Sequence, residues 1–571
     1  MTFAAKPASA FKASVPAPAV KPLRAAAEIL GVVHWLDALA VGLLAVVAVI
    51  AALTFTDYGL GWDDYTHSQY GSLLVSLYES GFADKRALSF VNLYMYGGGF
   101  DLLATLSAKV LPLGVFETRR LVGAAVGLVG LIVTWRLGRR LGGPLAGLIA
   151  LLLLATCPLY YGHMFMNAKD APFAVAMVTA LLGTVRAFDE YPRATPATIA
   201  LCGIGIGLAI GSRVMGGFAL INALVPLLFI LALSSRASAF KRALREWRSF
   251  LLPFIPGAIL AYLVMALVWP WAVLSPLNPL RAVEYFSNLF ERPWRELFGG
   301  QLILIPDMPR SYVPTLAVFT LPELMLMLGS CGTIGAIVAA MRSQGGQAGV
   351  TLGRRAALLA VALAAVLPAL VTVATRPVIY NGIRHFVFLT PPFAVLGGLA
   401  AAWIAQRLRR YGRIALASGA VVLIAGLASP VVDMVRLHPY EYTDYNHLVG
   451  GVAGARPLYM VDYWGLSMRQ ASLELRRVLA ERGEQPRAGT WKVAVCGPHP
   501  AVEVALGRQF SAIWKPQGAD FAMMLGEFYC AKLDAPILFD IVREGVVYAR
   551  VYDIRGRSIP TLLKVRGPDA D

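Results

Sequence analysis

Long apolar stretches separated by short polar linkers dominate this sequence. Eleven of them are long enough to read as membrane-spanning helices, at about 36–56, 119–136, 144–162, 171–187, 197–212, 216–234, 250–273, 316–340, 356–374, 386–404 and 414–432. Uninterrupted apolar runs of roughly 20 residues are what a helix needs to cross the hydrocarbon core. Closed barrels read instead as short alternating segments. The pattern predicts a polytopic α-helical membrane protein. One further apolar stretch, Val91–Leu113, is broken by Gly97-Gly98-Gly99 and is read as juxtamembrane helices lying in the interface.

After Asp433 the pattern changes. Val493–Gly497, Phe521–Leu525 and Ile537–Ile554 read as strands, and Ser467–Glu481 has helical spacing. Residues 433–571 are therefore expected to form a small α/β domain, 36–432 a transmembrane domain, and 1–35 an Ala/Pro/Lys-rich disordered tail.

Composition agrees with this class. Of 571 residues, 57% are hydrophobic and 15% charged, and the mean hydropathy is +0.63. The net charge of +17 does not point to nucleic acid, because the basic residues cluster in short linkers: Arg136–Arg140, Arg236–Arg248, Arg342–Arg355 and Arg407–Arg413. With eleven spans these linkers share one face with the N-terminus, which the positive-inside rule makes cytoplasmic. The opposite face receives 57–117, 163–170, 275–315, 375–385 and the C-terminal domain. Cys496 and Cys530 fall on that outer face, where an oxidising compartment permits a disulfide; two buried thiols are the alternative.

Acids at such a boundary are costly to desolvate and are functional candidates. Asp63 and Asp64 follow the first span, and Asp170 follows the third on the same face. A carboxylate in a partly dry cleft, with its pKa raised, suits general-base chemistry. Asp63 is favoured as the base and Asp64 as a helix cap or an orienting group, with either role open to either residue. Asp170 also fits an ordinary helix start before Pro172. Outer-face cations are scarce; Lys85, Arg86, Arg119, Arg120, Arg310, Arg384 and His385 are candidate phosphate contacts, or equally lipid-headgroup contacts. Trp62, Tyr65, Tyr94, Tyr96, Tyr312 and Tyr380 suit a sugar or isoprenoid groove, or equally an interfacial aromatic belt. His67 and His163 form no recognised ligand set, so no metal or other cofactor is expected.

The order of these pieces resembles the GT-C membrane glycosyltransferases, and within them family 39, the protein O-mannosyltransferase and aminoarabinose transferase group. The matching text is Trp62-Asp63-Asp64-Tyr65, Arg119-Arg120-Leu121, Asn167-Ala168-Lys169-Asp170-Ala171-Pro172, Pro309-Arg310-Ser311-Tyr312-Val313-Pro314, Asn381-Gly382-Ile383-Arg384-His385-Phe386 and Asp462-Tyr463-Trp464-Gly465. The resemblance implies an inverting transferase in a bacterial inner membrane, with a polyprenyl-phosphate sugar as donor and a glycolipid, polysaccharide or protein as acceptor. It implies catalytic roles for Asp63, Asp64 and Asp170, a donor-phosphate site at Lys85, Arg86, Arg384 and His385, and a substrate groove including Trp62, Tyr65, His67, Asn167, Lys169, Arg310 and Tyr312. The motif Asp63-Asp64 departs from the Asp-Glu of many eukaryotic mannosyltransferases, so mannose does not carry over. The competing reading is a secondary transporter using Asp63 and Asp170 as proton or substrate sites; that class is built from internal repeats, and none is evident.

Overall fold

The computed structural model describes residues 34–237, 240–287, 294–342, 351–486 and 489–565. The expected tail lies outside these residues except for its last two, as do parts of two basic linkers. The helices are α1 (Trp35–Thr54), α2 (Asp64–Glu79), α3 (Gly99–Ala108), α4 (Val115–Ala155), α5 (Pro158–Met166), α6 (Asp170–Asp189), α7 (Pro196–Ser212), α8 (Gly217–Ala237), α9 (Phe240–Leu251), α10 (Ile255–Val268), α11 (Asn278–Ser287), α12 (Tyr312–Thr320), α13 (Glu323–Met341), α14 (Leu352–Thr375), α15 (Thr390–Leu408), α16 (Arg413–Leu437), α17 (Ser467–Glu481) and α18 (His499–Leu506).

Among the described residues, nine helical segments are long and apolar enough to cross a membrane. The chain is thus a polytopic helical membrane protein. Splitting α4 into its two legs and adding the shorter α7 reproduces the eleven expected. Gly143 makes the split: at φ 81°, ψ −175° it leaves helical geometry just before Pro144, a conformation glycine adopts without Cβ penalty. The second leg folds back on the first, so that Gly138 meets Ala150 and Gly147 meets Arg139. This span differs from the expected 144–162. It stops at Ala155, and Pro158 opens the separate helix α5. Val91–Leu113 holds only a short turn and the ten-residue α3, too short to span.

Small residues let the helices approach closely. A methyl on Gly203 or Gly207 of α7 would strike backbone carbonyls of α10, and one on Gly332 of α13 would strike that of Leu396 in α15. Charged contacts sort the helix ends into two faces. On one, Arg139 pairs with Asp37, and Arg140 and Arg354 pair with Asp189. On the other lie Asp64 with Arg120 and Asp170 with Arg213 and Arg384. These are called the basic face and the site face.

Two β-elements sit with the site face. The hairpin β1 (Arg295–Phe298) and β2 (Gln301–Leu304) is antiparallel, turning at Gly299-Gly300, both with positive φ. The C-terminal unit is a mixed five-stranded sheet of β3 (Trp491–Cys496), β4 (Phe510–Ile513), β5 (Phe521–Leu525), β6 (Ile537–Arg543) and β7 (Val546–Asp553), ordered β4-β3-β5-β7-β6. The expected single run 537–554 is a hairpin, turned by Glu544-Gly545 in the left-handed region. Cys496 and Cys530 are joined by a disulfide. The sheet's core runs without a break into the helical core, through residues such as Tyr442, Tyr463 and Leu466.

Candidate active site

Asp63 closes the loop after α1 and precedes α2. Its carboxylate lies 3.1 Å from Lys169 Nζ and is 38% exposed. Asp170, the first residue of α6, is 1% exposed. Arg213 Nη1 lies 2.9 Å from its Oδ1, in ion contact outside hydrogen-bond directions. Arg384 Nη1 lies 3.4 Å from its Oδ2. Tyr96 joins the two acids: Lys169 Nζ is 4.9 Å from its ring centroid and the Arg213 guanidinium 5.7 Å. Three cations, Lys169, Arg213 and Arg384, therefore surround two carboxylates. The Nε atoms of both arginines and Nδ1 of His385 are buried with no hydrogen-bond partner.

Local sequence explains the placement. Asn167 accepts N–H bonds from Lys169 (3.0 Å) and Asp170 (2.8 Å), capping the start of α6. Its amide donates to Asp170 Oδ2 at 2.8 Å, fixing that carboxylate, and lies 3.0 Å from His163 Nδ1. Arg384 is placed by the turn at Asn381-Gly382, both at positive φ. Buried Glu296 of β1 accepts the Asn381 N–H at 2.8 Å and the Tyr312 hydroxyl at 2.5 Å, and Tyr312 in turn accepts the Gly382 N–H at 3.0 Å. Burial raises the Glu296 carboxyl above its ordinary range against these bonds. The guanidinium of Arg384 is sandwiched, 4.8 Å from Trp464 and 5.0 Å from Tyr380. The Asp462–Gly465 segment thus brings the C-terminal unit into the site, and Tyr463 hydroxyl lies 3.0 Å from His163 Nε2.

The two neighbouring acids of the first loop part company. Asp64 is buried in a two-point pair with Arg120, both bonds 2.9 Å, and accepts the Gly61 N–H at 2.7 Å. It caps nothing in α2; it binds the loop to α4. Asp63 alone keeps a reachable carboxylate. Burial would raise its pKa, but Lys169, Arg384 and His67 outweigh burial and hold it below the usual carboxylate range. The expected raised pKa is thereby corrected.

Other expectations also change. Arg86 is 70% exposed and paired with Asp84 at 2.6 Å, and Lys85 is exposed beside it; neither joins the cluster, because Asp84 holds Arg86 locally. Arg310 is exposed in the turn before α12. Tyr312 is buried in support of the 381–384 turn and lines no groove. His67 is buried at 2.7 Å from Asp101, which also pairs with Arg119 at 2.6 Å, clamping α2 and α3 onto α4. Trp62 is half-buried against the C-terminal unit, and Tyr65 is exposed on α2. Sequence reasoning missed Arg213, Glu296 and Asp101. Arg213 carried a signal: it is a lone arginine at a span end on the face where the positive-inside rule disfavours one. Among the described residues no group of three His, Cys, Asp or Glu is placed to hold a metal ion.

Residues 100–271 match the family profile described as dolichyl-phosphate-mannose-protein mannosyltransferase. The match supports a GT-C glycosyltransferase. It covers α3 through α10, including Lys169, Asp170 and Arg213. A search of curated proteins found no match. Among solved structures the chain is similar to the Archaeoglobus fulgidus oligosaccharyltransferase in its apo form, at 14% identity and TM-score 0.48, over 84% of this chain and 65% of that one. It is also similar to ArnT from Cupriavidus metallidurans bound to undecaprenyl phosphate, at 15% identity and TM-score 0.46, over 90% and 97%. A third likeness is to the arabinofuranosyltransferase AftD from Mycobacteria, at 14% identity and TM-score 0.39, over 89% and 39%. The chain thus spans just under two thirds of the archaeal enzyme's length.

Proposed function

We propose that this GT-C protein moves a sugar, with inversion, from a polyprenyl-phosphate donor to an acceptor hydroxyl at the outer membrane face. The observation that carries this reading is the cation excess around a reachable Asp63. An anion is the natural complement to Lys169, Arg213 and Arg384 when two carboxylates balance only two of them. A lipid phosphate meets that need at the depth of the span ends, and the matched family's description names such a donor.

In the step envisaged, the acceptor oxygen attacks the anomeric carbon while Asp63 takes its proton. The anomeric C–O bond to phosphate breaks, and the lipid phosphate leaves with the bonding pair. Its charge falls on Lys169, Arg213 and Arg384. Lys169 holds Asp63 as a weak base in the free protein. When phosphate draws the ammonium away, the carboxylate's proton affinity rises. Asp170 orients the two arginines. Charge placement supports the outer face: the basic face carries the expected cytoplasmic linkers. Asp63→Asn, assayed with a radiolabelled polyprenyl-phosphate sugar, is expected to lose transfer by about 10²–10⁴-fold, the usual scale for a general base; unchanged transfer rejects Asp63 in that role.

A further inference from the structure

A cavity of about 420 Å³ lies between the first outer loop and the C-terminal unit. Trp62, the residue before Asp63 in the chain, forms one wall. Trp514 and Lys515, following β4, form another, and Pro560–Leu563 a third. Its volume is in the range of small-molecule sites. Trp514 is 56% exposed, yet its ring is fixed by stacking on His499 at 4.3 Å and 9°. Among the described residues Lys515 is the one charged residue in the lining, which contains no carboxylate there.

Those features recognise a particular chemistry. Indole faces carry a negative quadrupole and stack on the C–H faces of a sugar ring. A lone cation without a competing carboxylate selects an anionic substituent. We infer that this cavity is the acceptor-recognition site and that its ligand is an anionic carbohydrate, free or lipid-linked. The inference rests on the transferase reading. It makes the C-terminal unit the element that holds the acceptor beside the loop carrying Asp63.

The test uses the full-length protein in detergent and isothermal titration with a glucuronate-containing disaccharide and its carboxyl-reduced neutral counterpart. The anionic disaccharide is expected to bind about tenfold more tightly than the neutral one, as for a charge-assisted contact. Trp514→Ala should weaken both about tenfold, and Lys515→Gln should remove the preference while leaving neutral binding intact. Equal binding of the two sugars, no binding, insensitivity to both variants, or displacement of the sugar by an acidic peptide would each overturn the proposal. Binding without any transfer by the wild-type protein would instead overturn the transferase reading and leave the cavity standing as a carbohydrate site. With transfer established, competition by the disaccharide against a glycolipid in vesicles and against a soluble polysaccharide separates the two sources.

Discussion

The two membrane faces use the same residue types to opposite ends. On the basic face each described arginine of the central cluster is answered. Arg139 meets Asp37 in two hydrogen bonds, Arg140 meets Asp189, and Arg354 reaches Asp189 and the carbonyls of Arg140 and Leu141 that the break at Gly143 leaves open. On the site face the cations are answered less completely. Lys169, Arg213 and Arg384 outnumber Asp63 and Asp170, and buried N–H groups are left without acceptors. A satisfied ion cluster fixes a fold; an unsatisfied one with a cation excess awaits an anion.

The contrast can be broken by mutation. The largest effect on stability belongs to the basic face. Arg139→Gln removes the two hydrogen bonds that Arg139 gives to the fully buried Asp37, and weakening a buried charge-assisted contact costs roughly 1–3 kcal/mol. Thermal melting in detergent should fall by several degrees, while transfer per folded molecule stays within about twofold, as for a site away from the chemistry. A selective loss of turnover without destabilisation would erase the distinction between the faces.

A pH profile sharpens it. Native Asp63 holds its proton more weakly than an unfolded aspartate, so its contribution to stability is present above about pH 4 and is lost as pH falls below that value. The acidic limb of kcat/KM should accordingly lie below that of an ordinary carboxylate. Lys169→Met removes the nearest opposing charge and should shift this limb upward by about one unit or more. Arg140→Gln on the basic face should leave it in place. The smallest effect is expected for Lys85→Ala with Arg86→Ala: donor KM within about twofold of wild type, since an exposed, locally paired arginine contributes little.

Much of the architecture was readable because each span carries its own signal. The apolar runs and the alternation of basic linkers identified every spanning helix, and the breaks at Gly143 and Pro158 are local chemistry. The acids Asp63 and Asp170 were conspicuous at span ends, and Asn167, Lys169, Arg384 and His385 lie with them. The rest depends on contacts that the sequence separates widely. Asp170 and Arg384 are 214 positions apart, and nothing local to Glu296 says that it carries the turn presenting Arg384. The opposite error arose at Lys85 and Arg86, where a count of outer-face cations ignored Asp84 two residues away. Asp63 and Asp64 were nearly equivalent as text. Only the tertiary partner Arg120 buries Asp64 and leaves its neighbour's carboxylate reachable. The lowered pKa of Asp63 had the same origin, because Lys169 arrives from another helix.

The central claim is that the site-face cations bind the donor's phosphate. The most direct measurement is the affinity of the detergent-solubilised protein for polyprenyl phosphate, comparing wild type, Arg213→Gln and Arg140→Gln. The cluster predicts about tenfold or greater weakening for Arg213→Gln, the scale of one lost charge-assisted contact, and wild-type affinity for Arg140→Gln. Equal weakening in both variants, or none in Arg213→Gln while it remains folded, would contradict the account.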